Sequence, residues 1–280
     1  MPIHDQSYRH WEGELKSHTF RWWAITIEGL KVLLRRKLFV IFILAPAIIQ
    51  FLVFGGMIYG VNTYTFFMNM NFITPEFFYK FCMRQSFFIA LICVFAGSGL
   101  IANDLRSNAF QLYLSKPLTR LDYILGKFAI MLIMLGFITL IPGILLFIEH
   151  SVLSQDSTFF LEQYWIFGSI TLFSLILIIP TMSMILAFSS ITKSYRYSAI
   201  MFMAIIFGTP VIGTLLREIL RAKWAYYIQY WWNMENMGRE LFGISKTTNT
   251  WYWSALIMII ITVISIVVIH RRIKGVDIVK

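Results

Sequence analysis

The chain has 280 residues, of which 58% are hydrophobic and 14% charged, with a formal net charge of +10. A soluble domain carries about 25% charged residues; here the few charges are also segregated and leave six long apolar runs, which excludes a soluble globular protein. The positive excess needs no nucleic acid partner, because a membrane protein gathers Lys and Arg on one side.

Residues 1–19 hold His4, His10 and His18. A metal site there would require carboxylate or cysteine partners at helical spacing, and the reading taken is a solvated tail. Residues 20–37, FRWWAITIEGLKVLLRRK, predict an amphipathic helix. Trp23, Ile27, Leu30 and Leu34 fall on one face, while Arg21, Glu28, Lys31 and Arg35 gather on the other. Such a helix lies in the membrane interface, with tryptophans toward lipid and cations toward anionic head groups. Its polar face is also a candidate contact for a partner. The first 37 residues lack the charged n-region, short apolar core and small-residue cleavage site of a signal peptide, so the first span is expected to stay in the membrane.

A span needs roughly 20 apolar residues, and six runs qualify: 38–60, 86–102, 123–148, 165–192, 197–216 and 251–270. Lys127 is the one Lys, Arg, Asp or Glu inside them. In lipid these runs must satisfy their own backbone hydrogen bonds, so helices are predicted. Barrel strands would be half as long and alternate apolar with polar residues. The expected fold is an all-α integral membrane protein of six spans.

Span 1 carries Pro46, the mid-depth polar Gln50 and a Gly56-x-x-x-Gly60 pair. The glycine pair predicts a close helix approach, and Gln50 is a candidate pathway residue. Loop 61–85, with Cys82, is read as external. Span 2 ends in Gly97-Ser98-Gly99, and Pro142-Gly143 predicts a kink in span 3. Loop 149–164 has Glu149, Asp156 and Glu162 but no Lys or Arg. Span 4 is too long for one straight crossing and holds Pro180; span 5 holds Pro210. Segment 217–250 interleaves charges with Trp224, Tyr226, Tyr227, Tyr230, Trp231 and Trp232, which predicts short helices dipping into the membrane.

Six spans put both termini on one side. That side, with segments 1–37, 103–122, 193–196 and 271–280 plus Lys127, holds 17 of the 24 Lys and Arg. Both termini are therefore expected in the cytoplasm. The expected division is a tail and interface helix at 1–37, a membrane domain at 38–270 with a polar loop at 103–122 and an external segment at 217–250, and a second tail at 271–280.

The segment Asn103–Lys127, NDLRSNAFQLYLSKPLTRLDYILGK, is the longest polar stretch between two apolar ones. It carries Asp104, Arg106, Arg120 and Lys127, has an amphipathic middle with Phe110, Leu112 and Leu114, and is broken at Pro117. A short helix held between two spans is suited to be gripped from outside the membrane. Asp104 is read as a docking or helix-capping residue.

Motifs for autonomous chemistry are missing. Gly126-Lys127 is followed by Phe128, with no glycine five residues earlier, so no Walker A loop exists. H-E-x-x-H, G-x-S-x-G and C-x-x-C are absent as well. A carrier coupled to protons or sodium usually places a carboxylate within a span, and these runs have none. The energy for any transport is expected from another chain.

From Asp104 to Lys127 the sequence resembles the cytoplasmic loop of ABC-2 type transporter permeases. The residues that carry the resemblance are Asp104 after span 2, Leu112, Leu114, Ser115, Pro117, Arg120, and Gly126-Lys127 opening span 3. Where the family commonly has a Gly-Thr pair this chain has Asn108-Ala109, a departure expected to touch the helix start. The order of interface helix, six spans and short external helices before the last span is similar too. The resemblance implies a permease subunit of an ATP-driven exporter in the inner (cytoplasmic) membrane, paired as a homodimer and served by two separate ABC ATPase subunits. It implies no cofactor in this chain; ATP and Mg would bind the ATPase. Asp104, Arg106, Phe110, Leu112, Leu114, Pro117, Arg120 and Lys127 would couple to that partner. The alternative is a membrane anchor or assembly factor of a respiratory or metal-enzyme complex.

Overall fold

The computed structural model of the chain describes residues 20–68, 73–109, 118–154, 162–221, 223–244 and 251–273. These form helices and turns with no strand, and six helical segments are long and apolar enough to cross a membrane. Helix α1 (Arg21–Leu34) leads through a helical turn at Lys37–Phe39 and a π-turn at Val40–Leu44 into α2 (Ala45–Met68). Helix α3 (Pro75–Phe95), a 3-10 turn at Gly97–Gly99 and the short α4 (Ala102–Arg106) follow. Span 3 is α5 (Arg120–Ile138) joined to α6 (Leu140–Leu153); spans 4 and 5 are α7 (Tyr164–Ile191) and α8 (Tyr195–Leu220). A 3-10 stretch at Lys223–Ile228 and α9 (Tyr230–Leu241) precede α10 (Trp251–Arg272).

Prolines set the irregularities. Pro46 has no N–H and crowds the carbonyl four residues back, and residue 42 lies in the π-turn. Pro142 frees the Ile138 carbonyl, and α5 ends there, at Thr139 with φ −116° and ψ −61°. Pro180 and Pro210 sit inside unbroken helices. The residue beside each bonds backward: Thr181 Oγ1 donates to the Leu177 carbonyl at 2.6 Å and Thr209 Oγ1 to that of Ile205 at 2.7 Å.

Helix α7 is the hub, packed against α3, α5, α6, α8 and α10. It buries 72% of its apolar window, against 17% for α8. At 1.5 Å per residue its 28 residues span about 42 Å, more than a hydrocarbon core of about 30 Å, so it tilts or projects.

The segment after α8 re-enters the bundle. Arg221 adopts the left-handed conformation (φ +48°) and turns the chain back. The Tyr230 N–H donates to Thr209 Oγ1 at 3.2 Å, and its hydroxyl shares a 2.8 Å hydrogen bond with Thr181. Thr181 lies about 26 Å along α7 from Tyr164 by helical rise, so the insertion runs deeper than a surface belt. From there α9 climbs to Ser169, whose hydroxyl donates to the Leu241 carbonyl. The Tyr230 side chain is fully buried there.

Several sequence expectations shift. Span 2 begins at Pro75, with proline in the first turn, not at 86. Cys82, expected in a loop, is thus a buried helical residue, as is Gln85. Span 3 runs to Leu153, so Glu149 and His150 sit in its last turns rather than in a loop. Charges mark where an apolar run ends, not where a helix ends: Lys80 and Glu76 pair along α3 at 3.0 Å. Among the described residues Gly56 and Gly60 receive no neighbour; a Cβ at either would meet nothing within 4 Å.

The close approach occurs elsewhere, between α1 and α5. A Cβ on Gly29 would collide with Ile130 Cδ1, and one on Gly126 would lie 2.9 Å from Ile25 Cβ and 3.1 Å from the Trp22 carbonyl oxygen. Gly126→Leu is therefore expected to push α1 off α5 and cost about 1–3 kcal/mol. Gly60→Leu is expected to stay within about 0.5 kcal/mol of the parent. Thermal unfolding of both variants in detergent checks the contrast.

Candidate functional site

The described polar residues of the 103–127 segment gather on the face that carries α1, α4 and the turn between α7 and α8. Three devices fix α4 there. The first is a break in span 2. At Gly97–Gly99 the α-helix tightens, and the Ser189 hydroxyl of α7 enters the ladder. It accepts from the N–H groups of Ile101 and Ala102 at 3.0 and 2.9 Å and donates to the Ser98 carbonyl at 2.8 Å. A hydroxyl has one proton and two lone pairs, so these three bonds use it fully. An α-helix would join Ala102 N–H to Ser98 O directly; here the side chain stands between them.

The second device is an ion pair. Lys127 Nζ lies 2.7 Å from Asp104 Oδ2, with the two side chains only 8% and 18% exposed. The buried Tyr123 donates its hydroxyl to the same carboxylate oxygen at 2.8 Å, and its ring lies 5.3 Å from Lys127 Nζ. Helix α5 starts with a capping box in which Thr119 and Asp122 satisfy each other's backbone N–H. This fixes the register that turns Tyr123 and Lys127, four residues apart, toward Asp104.

The third device is the end of α4. Ser107 is its C-cap and Asn108 follows at φ +52°. The left-handed position is glycine's, and asparagine is the residue that replaces it most readily. The departure at Asn108 therefore falls between the end of the short helix and Ala109, which is helical again, as expected of a residue at a helix start.

Helix α1 closes one side. Ile25, Thr26 and Leu33 are buried against α5, and Thr26 Oγ1 reaches the Gly126 carbonyl at 3.4 Å. The predicted apolar stripe divides: Trp23, Ile27 and Leu34 stay exposed, as a lipid-facing stripe would, while Leu30 is half-buried. Glu28 and Lys31 pair at 2.7 Å on the exposed side, and Lys31 holds the Glu28 carboxyl below its usual range. Arg35 is the exposed C-cap. Between α1 and α4 lies a cavity of about 530 Å³ lined by Arg21, Glu28 and Arg36 on one wall and Asn103, Asp104 and Lys127 on the other.

Two of the expected docking charges are thus used inside the fold. Asp104 caps no helix; its carboxylate is held by Lys127 and Tyr123. Arg106 is exposed at the end of α4 and Arg120 is exposed at the start of α5. Phe110, Leu112, Leu114 and Pro117 lie outside the described residues, as do His4, His10 and His18. Gln50 is half-buried in α2, away from this face, and its Nε2 has no hydrogen-bond partner among the described residues. Ser189 and Tyr123 were missed by sequence reasoning: nothing distinguishes Ser189 from Ser190, or a tyrosine facing Asp104 from one facing lipid.

Asp104→Asn leaves Lys127 buried without a counter-charge and is expected to cost about 3–5 kcal/mol. The neutral pair Asp104→Asn/Lys127→Met is expected to recover most of that loss in the same thermal or denaturant assay. At the turn, Asn108→Gly is expected to be neutral and Asn108→Val to cost about 1–2 kcal/mol.

The family model described as ABC-2 family transporter protein matches residues 23–270. No curated protein matches the chain.

Proposed function

The chain belongs to the ABC-2 transporter family, and from that premise we propose that it moves substrate outward by conformational change driven by separate ATPase subunits. It is a multi-pass membrane permease component. In the proposed assembly two copies pair, two ABC ATPase subunits bind on the basic face, and that face is cytoplasmic in the inner membrane. ATP and Mg are held by the ATPases.

The observation that carries this reading is the anchoring of α4. Its exposed side offers Asn103, Arg106 and Ser107 to a partner, while its buried side is tied to α5 through Asp104 and to α7 through Ser189. A displacement imposed on α4 passes to spans 2, 3 and 4 together, and through the α1–α5 contact to the interface helix. Coupling by push on a rigid element needs such ties, because a helix of five residues has little stability of its own. Membership of a transporter family also favours transport over the assembly-factor alternative.

A single exposed cysteine tests the orientation. Ser107→Cys is expected to resist a membrane-impermeant maleimide in intact cells and to react once the membrane is opened. With the ATPase co-expressed, bound partner is expected to protect it. Labelling in intact cells would put α4 out of an ATPase's reach and end the proposal.

A further inference from the structure

A second cavity on the basic face belongs to none of the devices above. It measures about 610 Å³ and lies between the end of α4 and the turn joining α7 to α8. Arg106 comes from α4; Lys193, Ser194, Tyr195, Arg196 and Tyr197 come from the turn and the first turn of α8. Three of the six lining residues are cations and, among the described residues, none is acidic. Among the described residues, no ion pair is formed by Arg106, Lys193 or Arg196. Arg196 instead leans on its neighbour, its guanidinium 5.8 Å from the Tyr195 ring and its Nε 3.4 Å from the Tyr195 hydroxyl.

Like charges brought together without a counter-charge repel unless an anion joins them. The backbone adds to the attraction. Ser194, which lines the cavity, is the N-cap of α8 and makes no side-chain cap hydrogen bond, so the positive end of a 26-residue helix lies at the cavity uncapped by that side chain.

The surroundings say where the anion comes from. Ile191, one turn before the cavity, and Ile200, one turn after it, are 38% and 61% exposed, and Tyr197 at the rim is 66% exposed. Both helices are membrane spans. Cations and tyrosines at the ends of two spans, with bare apolar surface directly below, match a molecule whose charged head sits at the interface and whose chains run down the helices. A soluble phosphate or an acidic protein segment would leave that apolar flank unused.

We propose that the cavity formed by Arg106, Lys193 and Arg196 binds the phosphate of an anionic phospholipid. The lipid bridges α4 to the turn between spans 4 and 5. This site does not depend on an ATPase partner.

The test is native mass spectrometry of the full chain titrated with phosphatidylglycerol and, separately, phosphatidylcholine. The parent is expected to retain phosphatidylglycerol preferentially. Lys193→Gln/Arg196→Gln is expected to bind it about 30-fold more weakly, from the usual contribution of a cation at an anionic lipid surface. Both residues are exposed, so the fold is expected to survive. Lys80→Gln/Arg84→Gln, at the other end of span 2, is expected to leave retention unchanged. Millimolar inorganic phosphate is expected not to compete. Equal retention by parent and Lys193→Gln/Arg196→Gln overturns the proposal, and so does full competition by inorganic phosphate, which would identify a site for the free ion. If that variant keeps its lipid but loses a co-expressed ATPase, the cavity is a protein-docking site and the lipid proposal falls.

Discussion

A carboxylate and an ammonium 2.7 Å apart at the edge of a membrane bundle set the mechanics of this protein. With both side chains largely buried, water cannot take over either charge if they separate, so separation is costly. The end of span 2 and the start of span 3 are therefore held as one unit. Ser189 adds the equivalent tie to span 4, by completing a backbone ladder that span 2 leaves open. Neither contact holds the helix bundle together by area; apolar packing along α7 does that. What the polar contacts fix is which helix ends move with which.

The bundle consequently has two kinds of helix. Spans 2, 3 and 4 bury 67%, 56% and 72% of their apolar windows, while spans 1, 5 and 6 bury 28%, 17% and 22%. The first three form an interior core in contact with α4. The last three present bare apolar faces, which lipid or another membrane protein can cover at no polar cost. The re-entrant α9 sits at the junction. Its tyrosine joins Thr181 of the buried set, and its backbone joins Thr209 of the exposed set, each next to a proline inside its helix. Hydroxyls beside prolines thus serve twice, closing their own helix and receiving the inserted segment.

The six apolar helices, the amphipathic α1 and the short helices before the last span were legible because long apolar runs and clusters of Trp and Tyr report directly on their surroundings. The partners of polar residues were not. Asp104 and Lys127 lie 23 positions apart, and a charge at the end of an apolar run looks the same whether it faces a partner or a neighbouring helix. Gly56 and Gly60 have the spacing of a packing motif and touch nothing among the described residues, while Gly29 and Gly126, on different helices, make the tight crossing. A spacing rule sees one helix; the crossing is a property of two. Span 2 was cut short at Lys80 and Arg84 because hydropathy weighs charges and ignores the helical pairing of Lys80 with Glu76.

Asn108 shows how geometry outlasts a change of residue. The position after α4 requires positive φ, and the side chain there is the non-glycine one that meets the requirement at least cost. The end of α4 is therefore defined by a backbone state, as its start is defined by Ser189 and its middle by Lys127. A five-residue helix cannot hold its shape by its own hydrogen bonds. Its position is set from outside, at Ala102 by Ser189 and at Asp104 by Lys127 and Tyr123, so its placement follows that of spans 3 and 4 and not any stability of its own.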